Sequence, residues 1–334
     1  MAGAGLQWVE WFRDQEAQAR GDPGLVHSYV GAAATALRAL GEEVDPVWLM
    51  GASSFAFRIN VHEALCPSAI SVFDWRRVLP LALEQLGHAC THVSRFWHEE
   101  ELRGERQQEA HAKILTGFER GVPSVVWDVH GAEWGVLTGY GTDEETYQGL
   151  ASTGERVTLP RALLGDREIK ILSVIIPEEQ RSRDRGEVIH RSLVAAVAHA
   201  RQEEWMERPK YQDGLEAFEQ WARALHPETG GAELGWIAGY SAAHNLSGRY
   251  YAYRYLEAIA GGDESLQEAA QCYRQVAASL RPVWVACSQE SPPDDEARRN
   301  LAQLVREAGT HEARGVNLLE DHLIHHPDPG TYLE

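Results

Sequence analysis

The stretch His27-Ser28-Tyr29-Val30-Gly31-Ala32-Ala33-Ala34-Thr35-Ala36-Leu37-Arg38-Ala39-Leu40-Gly41 decides how the first half of this chain folds. Small and apolar residues fall on nearly every side at helical spacing, which predicts a helix buried in a core. Gly41 supplies its C-terminal stop. A second stretch, Glu133-Trp134-Gly135-Val136-Leu137-Thr138-Gly139-Tyr140, predicts a buried strand closing in a Gly-Tyr turn.

The surrounding sequence alternates helix and strand signals. Helices are expected at 6–19, 74–86 and 99–120, the first broken by Gly21-Asp22-Pro23-Gly24 and the second stopped at Gly87. Strands are expected at 55–61, 91–97, 124–129 and 168–176, the last stopped by Pro177. Asp143-Glu144-Glu145 reads as a turn, and 146–149 with 156–159 as a further hairpin. This predicts an antiparallel sheet with helices on one side, an α+β arrangement.

The polar run from Pro177 to Glu187 reads as a linker. Beyond it, helices are expected at 188–207, 214–225, 236–260, 264–280, 294–308 and 312–323, the pattern of a helical bundle. The expected domains are therefore an α+β domain over 1–185 and an all-α domain over 186–334.

Composition narrows the function. The chain has 334 residues, 44% hydrophobic and 24% charged, ordinary values for a globular protein. Its net charge of −19 argues against nucleic acid and anionic membrane surfaces, which need a basic face. Met1 to Gly5 has no positive flank and no signal-like apolar run, and no stretch reaches the roughly 20 apolar residues of a membrane span. Cys66, Cys90, Cys272 and Cys287 form no Cys-x-x-Cys pair. A reduced, cytoplasmic protein without a cofactor is expected; composition does not set its oligomeric state.

The two opening stretches resemble the two halves of a papain-like cysteine peptidase, of the bacteriocin-processing (double-glycine) kind. In that family a cysteine begins a helix ending in Leu-Gly, and a histidine begins a strand ending in Gly-Tyr. Counting back from Leu40-Gly41 and from Gly139-Tyr140 puts Ser28 and Glu133 at those two places, with Trp134 at the family's aromatic position. The orienting acid and the oxyanion glutamine are also missing, from Gly149-Leu150-Ala151-Ser152 and Asp22-Pro23-Gly24-Leu25. Gly51-Ala52-Ser53-Ser54-Phe55-Ala56-Phe57 is similar to the amino-terminal domain of the butirosin biosynthesis protein H family, which transfers an acyl group from a carrier protein. The resemblance implies a papain-like scaffold and a degenerate, non-peptidase member that binds a small molecule or peptide in the old cleft. An acyl- or amide-transferring enzyme using Ser28 or Cys66 is the alternative, and a structural or partner-binding module is the third reading.

The residues themselves allow a Ser28–His130–Asp128 arrangement, since Asp128, His130 and Glu133 surround one strand–turn–strand. Serine needs a well-placed base, however, because its hydroxyl is hardly ionised at neutral pH. Serine is also a preferred helix N-cap, and a cap is the role expected of Ser28. His27, Glu133, Trp134 and Phe57 are the expected cleft residues. Cys66, near His62, is read first as a small buried hydrophobe. Tyr240 and His244 lead a stripe continued by Gly248, Tyr251 and Tyr255, which would either wall a ligand or pack helices. His322, His325 and His326 with Asp328 have metal-like spacing, but histidine at a helix end also complements the helix dipole, and no metal is expected.

Overall fold

A computed structural model describes residues 9–141, 145–204, 209–230 and 234–327. In chain order the helices are α1 (Gln15–Ala19), α2 (Ser28–Ala39), α3 (Pro46–Ala52), α4 (Trp75–Gln85), α5 (Arg103–Glu119), α6 (Arg185–Ala200), α7 (Gly214–Leu225), α8 (Trp236–Ala260), α9 (Glu264–Cys287) and α10 (Asp295–His325). The strands are β1 (Asn60–His62), β2 (His88–Arg95), β3 (Ser124–Trp127), β4 (Trp134–Tyr140), β5 (Thr146–Leu150), β6 (Arg156–Pro160), β7 (Leu172–Gln180) and β8 (Tyr211–Asp213). The fold is α+β. Among the described residues no helix is long and apolar enough to cross a membrane.

The chain divides into two compact units. The first holds the residues up to Asp14, His27–Leu49 and Trp75–Ser182; the second holds Gln15–Val26, Met50–Asp74 and everything from Arg183 onward. The linker expected over 177–187 is shorter than the sequence implies, since β7 reaches Gln180 and α6 starts at Arg185. Two early segments, 15–26 and 50–74, also belong to the later unit, which local sequence patterns cannot show.

The first unit is built on a six-stranded antiparallel sheet in the order β2-β7-β3-β4-β5-β6. Helices cover both faces, not one. Val126, Leu137, Val174 and Ile176 share a core with Ala110, Ile114 and Phe118 of α5. Strand alternation turns Trp127 and its cross-strand partner Trp134 to the opposite face, where they meet Trp75 of α4 and Tyr29 of α2. Pro177 does not end β7. Beyond Ile176 the strand pairs only with β2, so the missing N–H of Pro177 costs no bond on the other side.

The amphipathic helix expected over 6–19 is corrected to Gln15–Ala19, with residues 6–8 outside the described part. Before it the chain is neither helix nor strand and lies against α2: the Phe12 N–H donates to Thr35 Oγ1 at 2.9 Å. Trp11 lies so close to Gly31 that a Cβ there would sit 2.7 Å from the indole. The turn expected at Asp143-Glu144-Glu145 lies largely outside the described residues.

In the second unit α8 packs along α9 and α9 along α10, with α7 and α6 against α10. The unit also carries a two-stranded ribbon, β1 with β8, of which β8 lies in the stretch read as purely helical. The strand expected over 55–61 is corrected to a 3-10 turn at Phe55–Phe57 followed by β1. Every residue from Phe55 to Val61 is buried, so the apparent alternation did not mark one buried face. The helices expected at 294–308 and 312–323 are one. Gly309 does not break α10; it admits Phe218, whose Cβ would lie 2.8 Å from a Cβ at that position. Helix α9 likewise runs through Pro282, held by buried Val283 and Cys287.

Candidate functional site

The backbone around Ser28 sets its chemistry. The N-cap of α2 is His27, not Ser28: His27 is extended (φ −68°, ψ 111°) and its Nδ1 accepts the Tyr29 N–H at 3.2 Å. This corrects the cap expected at Ser28 by one residue. Ser28 is thereby the first residue of the helix, and its hydroxyl is left for another partner.

That partner comes from β4. Trp127 ends β3, and residues 128–133 turn the chain back into β4. Asp128 takes a left-handed conformation (φ 57°), which aspartate tolerates better than most residues, and its N–H donates to the Glu133 carbonyl at 2.9 Å. The closed turn holds Glu133 at the strand entrance. The Ser28 hydroxyl donates to the Glu133 carboxylate and accepts the Trp134 N–H at 3.2 Å. The two residues counted onto the nucleophile and base places are thus bonded to each other.

The aromatic setting is equally specific. Trp134 lies 5.2 Å from Tyr29 and 5.2 Å from Trp75, centroid to centroid, and Trp127 lies 5.0 Å from Trp75. The Tyr29 hydroxyl donates to the Leu79 carbonyl at 2.6 Å, and burial pushes its pKa well up. Trp75 and Trp127 were not singled out by motif. They fall only within the helix expected at 74–86 and the strand expected at 124–129.

His130 is exposed on the turn and Ser28 is not bonded to it. Asp128 is buried, with Oδ1 3.4 Å from Arg167 Nε, and Arg167 also donates to the Val129 carbonyl at 2.9 Å. Burial raises the Asp128 pKa, partly offset by the Arg167 charge. Arg167 had no sequence signal at all. It fastens the turn from another part of the first unit.

The remaining expected residues belong to the second unit. Phe57 is buried 5.5 Å from Tyr273 and 6.3 Å from Tyr255, ring to ring. Cys66 is half-buried, its sulfur 3.0 Å from Ser68 Oγ, while His62 Nδ1 accepts the Ala64 N–H at 3.1 Å. Tyr240 and His244 lie on α8, half-buried and buried respectively. Further along that stripe, Gly248 lies against the Ala56 carbonyl and the Tyr255 hydroxyl meets Ser192 Oγ at 2.8 Å, both contacts between packed elements.

Ser28→Ala is expected to destabilise the protein by about 1–3 kcal/mol, because it strips the buried Trp134 N–H of its acceptor. Thermal unfolding followed by tryptophan fluorescence checks this, and a change within experimental error would deny the hydroxyl its bridging role.

Compared with known proteins, this chain matches no protein-family model, and a search of curated proteins finds no significant match.

Proposed function

We propose that the first unit is a degenerate papain-like domain that binds a small molecule or peptide and does not hydrolyse it. One observation carries this reading: the hydroxyl at the nucleophile place gives its only proton to a carboxylate at the base place. A carboxylate is typically about a hundredfold weaker as a base than an imidazole. Among the described residues no imidazole is bonded to Ser28: His27 Nδ1 is engaged in capping α2 and His130 is exposed on the turn. Glu133 is only partly buried, and its carboxylate can accept further hydrogen bonds. The favoured ligand therefore presents an ammonium or N–H group.

Two measurements test the reading. Incubation of the folded protein with a fluorophosphonate, and separately with iodoacetamide, is expected to leave Ser28 and Cys66 unmodified by mass spectrometry. Stoichiometric labelling lost in Ser28→Ala or Cys66→Ala would overturn it in favour of acyl or amide transfer. Titration with primary amines and short peptides, read by indole fluorescence, is expected to give saturable binding that Glu133→Gln weakens at least tenfold. Binding indifferent to Glu133→Gln would remove the ligand from this place.

A further inference from the structure

The start of α9 and the end of α10 bring three donor side chains together. Asp263 caps α9: its Oδ1 accepts the Leu266 N–H at 2.8 Å and the Ser265 hydroxyl at 2.6 Å. These bonds fix the carboxylate and leave Oδ2 facing α10. His322 Nδ1 lies 3.2 Å from that oxygen and His326 Nε2 3.7 Å. The two imidazoles, one helical turn apart, stack with centroids 4.6 Å apart and planes 27° apart. Ligand-type atoms of all three residues lie within 4.8 Å of one another.

Metal geometry gives these distances a meaning. Zinc sits about 2.0–2.1 Å from imidazole nitrogen and 2.0–2.2 Å from carboxylate oxygen, so two donors on a tetrahedral ion are about 3.3–3.4 Å apart. The observed 3.2 and 3.7 Å straddle that edge. Two imidazolium rings stacked in this way would repel each other, whereas one cation among neutral rings satisfies both nitrogens and the carboxylate. The Ser265 hydroxyl, by donating to Asp263 Oδ1, steadies the carboxylate from behind, while its oxygen lies 3.1 Å from His322 Nδ1, the nitrogen the ion would take.

We propose that Asp263, His322 and His326 form a binding site for a late first-row divalent cation, Zn2+ foremost, with a fourth position left to water or an incoming ligand. Two imidazoles and one carboxylate suit zinc, while Ca2+ and Mg2+ prefer oxygen donors alone. The ion ties the start of α9 to the end of α10. The carboxylate comes from Asp263; Asp328, the acid adjacent in sequence, lies outside the described residues. His325 is not among the side chains whose donor atoms converge, and its Nδ1–H donates to the Asp321 carbonyl at 2.7 Å.

The test uses untagged full-length protein stripped with EDTA. Competition with a chromophoric chelator is expected to show one Zn2+ bound per chain, and Co2+ to give the intense visible bands of a four-coordinate site. His326→Ala and Asp263→Asn are each expected to weaken Zn2+ binding by about a hundredfold, at least the loss an outer-shell change causes, and to abolish the Co2+ bands. Asp263→Asn retains an oxygen to cap α9, and His326 is partly exposed, so metal-free variants are expected to unfold at the wild-type temperature. His325→Ala is expected to bind as wild type. Absence of stoichiometric binding, or Zn2+ binding that survives both substitutions, overturns the proposal and leaves only scattered binding among the fifteen histidines.

Discussion

Glu312→Leu is expected to lower the unfolding free energy by about 3–5 kcal/mol, because it leaves a fully buried guanidinium without its counter-charge. Arg249 is 0% exposed and Glu312 nearly so. The pairing is two-pronged: Nη2 to Oε1 at 2.7 Å and Nε to Oε2 at 3.1 Å. Arg249 Nη1 also donates to the Arg58 carbonyl at 2.7 Å, and Nη2 to the Phe57 carbonyl at 3.4 Å. The arginine therefore holds the 3-10 turn in place, besides neutralising Glu312 of α10. Replacing a buried ion pair by apolar residues is often neutral, but here two backbone carbonyls would lose their donor. Arg249→Met combined with Glu312→Leu is thus expected to be more stable than Glu312→Leu alone, yet still about 1–3 kcal/mol below wild type. Urea unfolding of the three proteins at pH 7 decides this. A loss under about 1 kcal/mol for Glu312→Leu, or no recovery in the double variant, would contradict the assignment.

This pair marks where reading the sequence stops. The helix at Ser28–Ala39, the strand at Trp134–Tyr140 and the hairpin of β5 and β6 follow from local signals: small-residue helical spacing, a glycine stop, alternation around a turn. The segment from Phe55 to Val61 misled because its form is dictated from far away in the chain. Arg249 takes its carbonyls, and Phe57 is enclosed by Tyr255 and Tyr273. Gly309 misled for the same reason, since its purpose is the approach of Phe218 and not a helix stop.

The candidate site divides in the same way. Ser28 and Glu133 were locatable by counting from the Leu-Gly and Gly-Tyr ends of their elements, and Trp134 with them. Their mutual hydrogen bond needs tertiary structure, as do the roles of Arg167, Trp75 and Trp127. The one-residue error over the cap has a simple cause. Serine is the commoner cap, but a histidine whose ring nitrogen reaches the second N–H can do the same work and release the serine hydroxyl to β4. The Asp263–His322–His326 cluster was half visible, as two histidines four apart; its carboxylate sits on a different helix.

A second large effect should appear in acid. Glu204 receives Arg58 through Nη1 to Oε2 at 2.8 Å and Nη2 to Oε1 at 3.2 Å, and His199 Nδ1 lies 3.6 Å away. His199 Nε2 lies 2.9 Å from the Ile59 nitrogen and 3.1 Å from the Ile59 carbonyl oxygen, which holds the ring with Nδ1 toward Glu204. Burial pushes the Glu204 carboxyl up, but the hydrogen bond from His199 and the Arg58 charge outweigh it and bring the pKa down from 4.5 to about 2. A depressed folded pKa stabilises the native state above the unfolded value and loses that stabilisation as pH falls toward the folded one. The contribution is roughly 3 kcal/mol at pH 7, present above about pH 4.5 and mostly gone near pH 2. Glu204→Gln mimics the protonated side chain, so it should sit roughly 3 kcal/mol below wild type at pH 7 and only about 1 kcal/mol below at pH 3. Urea unfolding of both proteins across that range measures the gap. A gap that stays constant or widens on acidification would mean that Glu204 is not held ionised by Arg58 and His199. In that event the 3-10 turn that Arg58 follows would need another anchor, since Arg249 holds only its carbonyls.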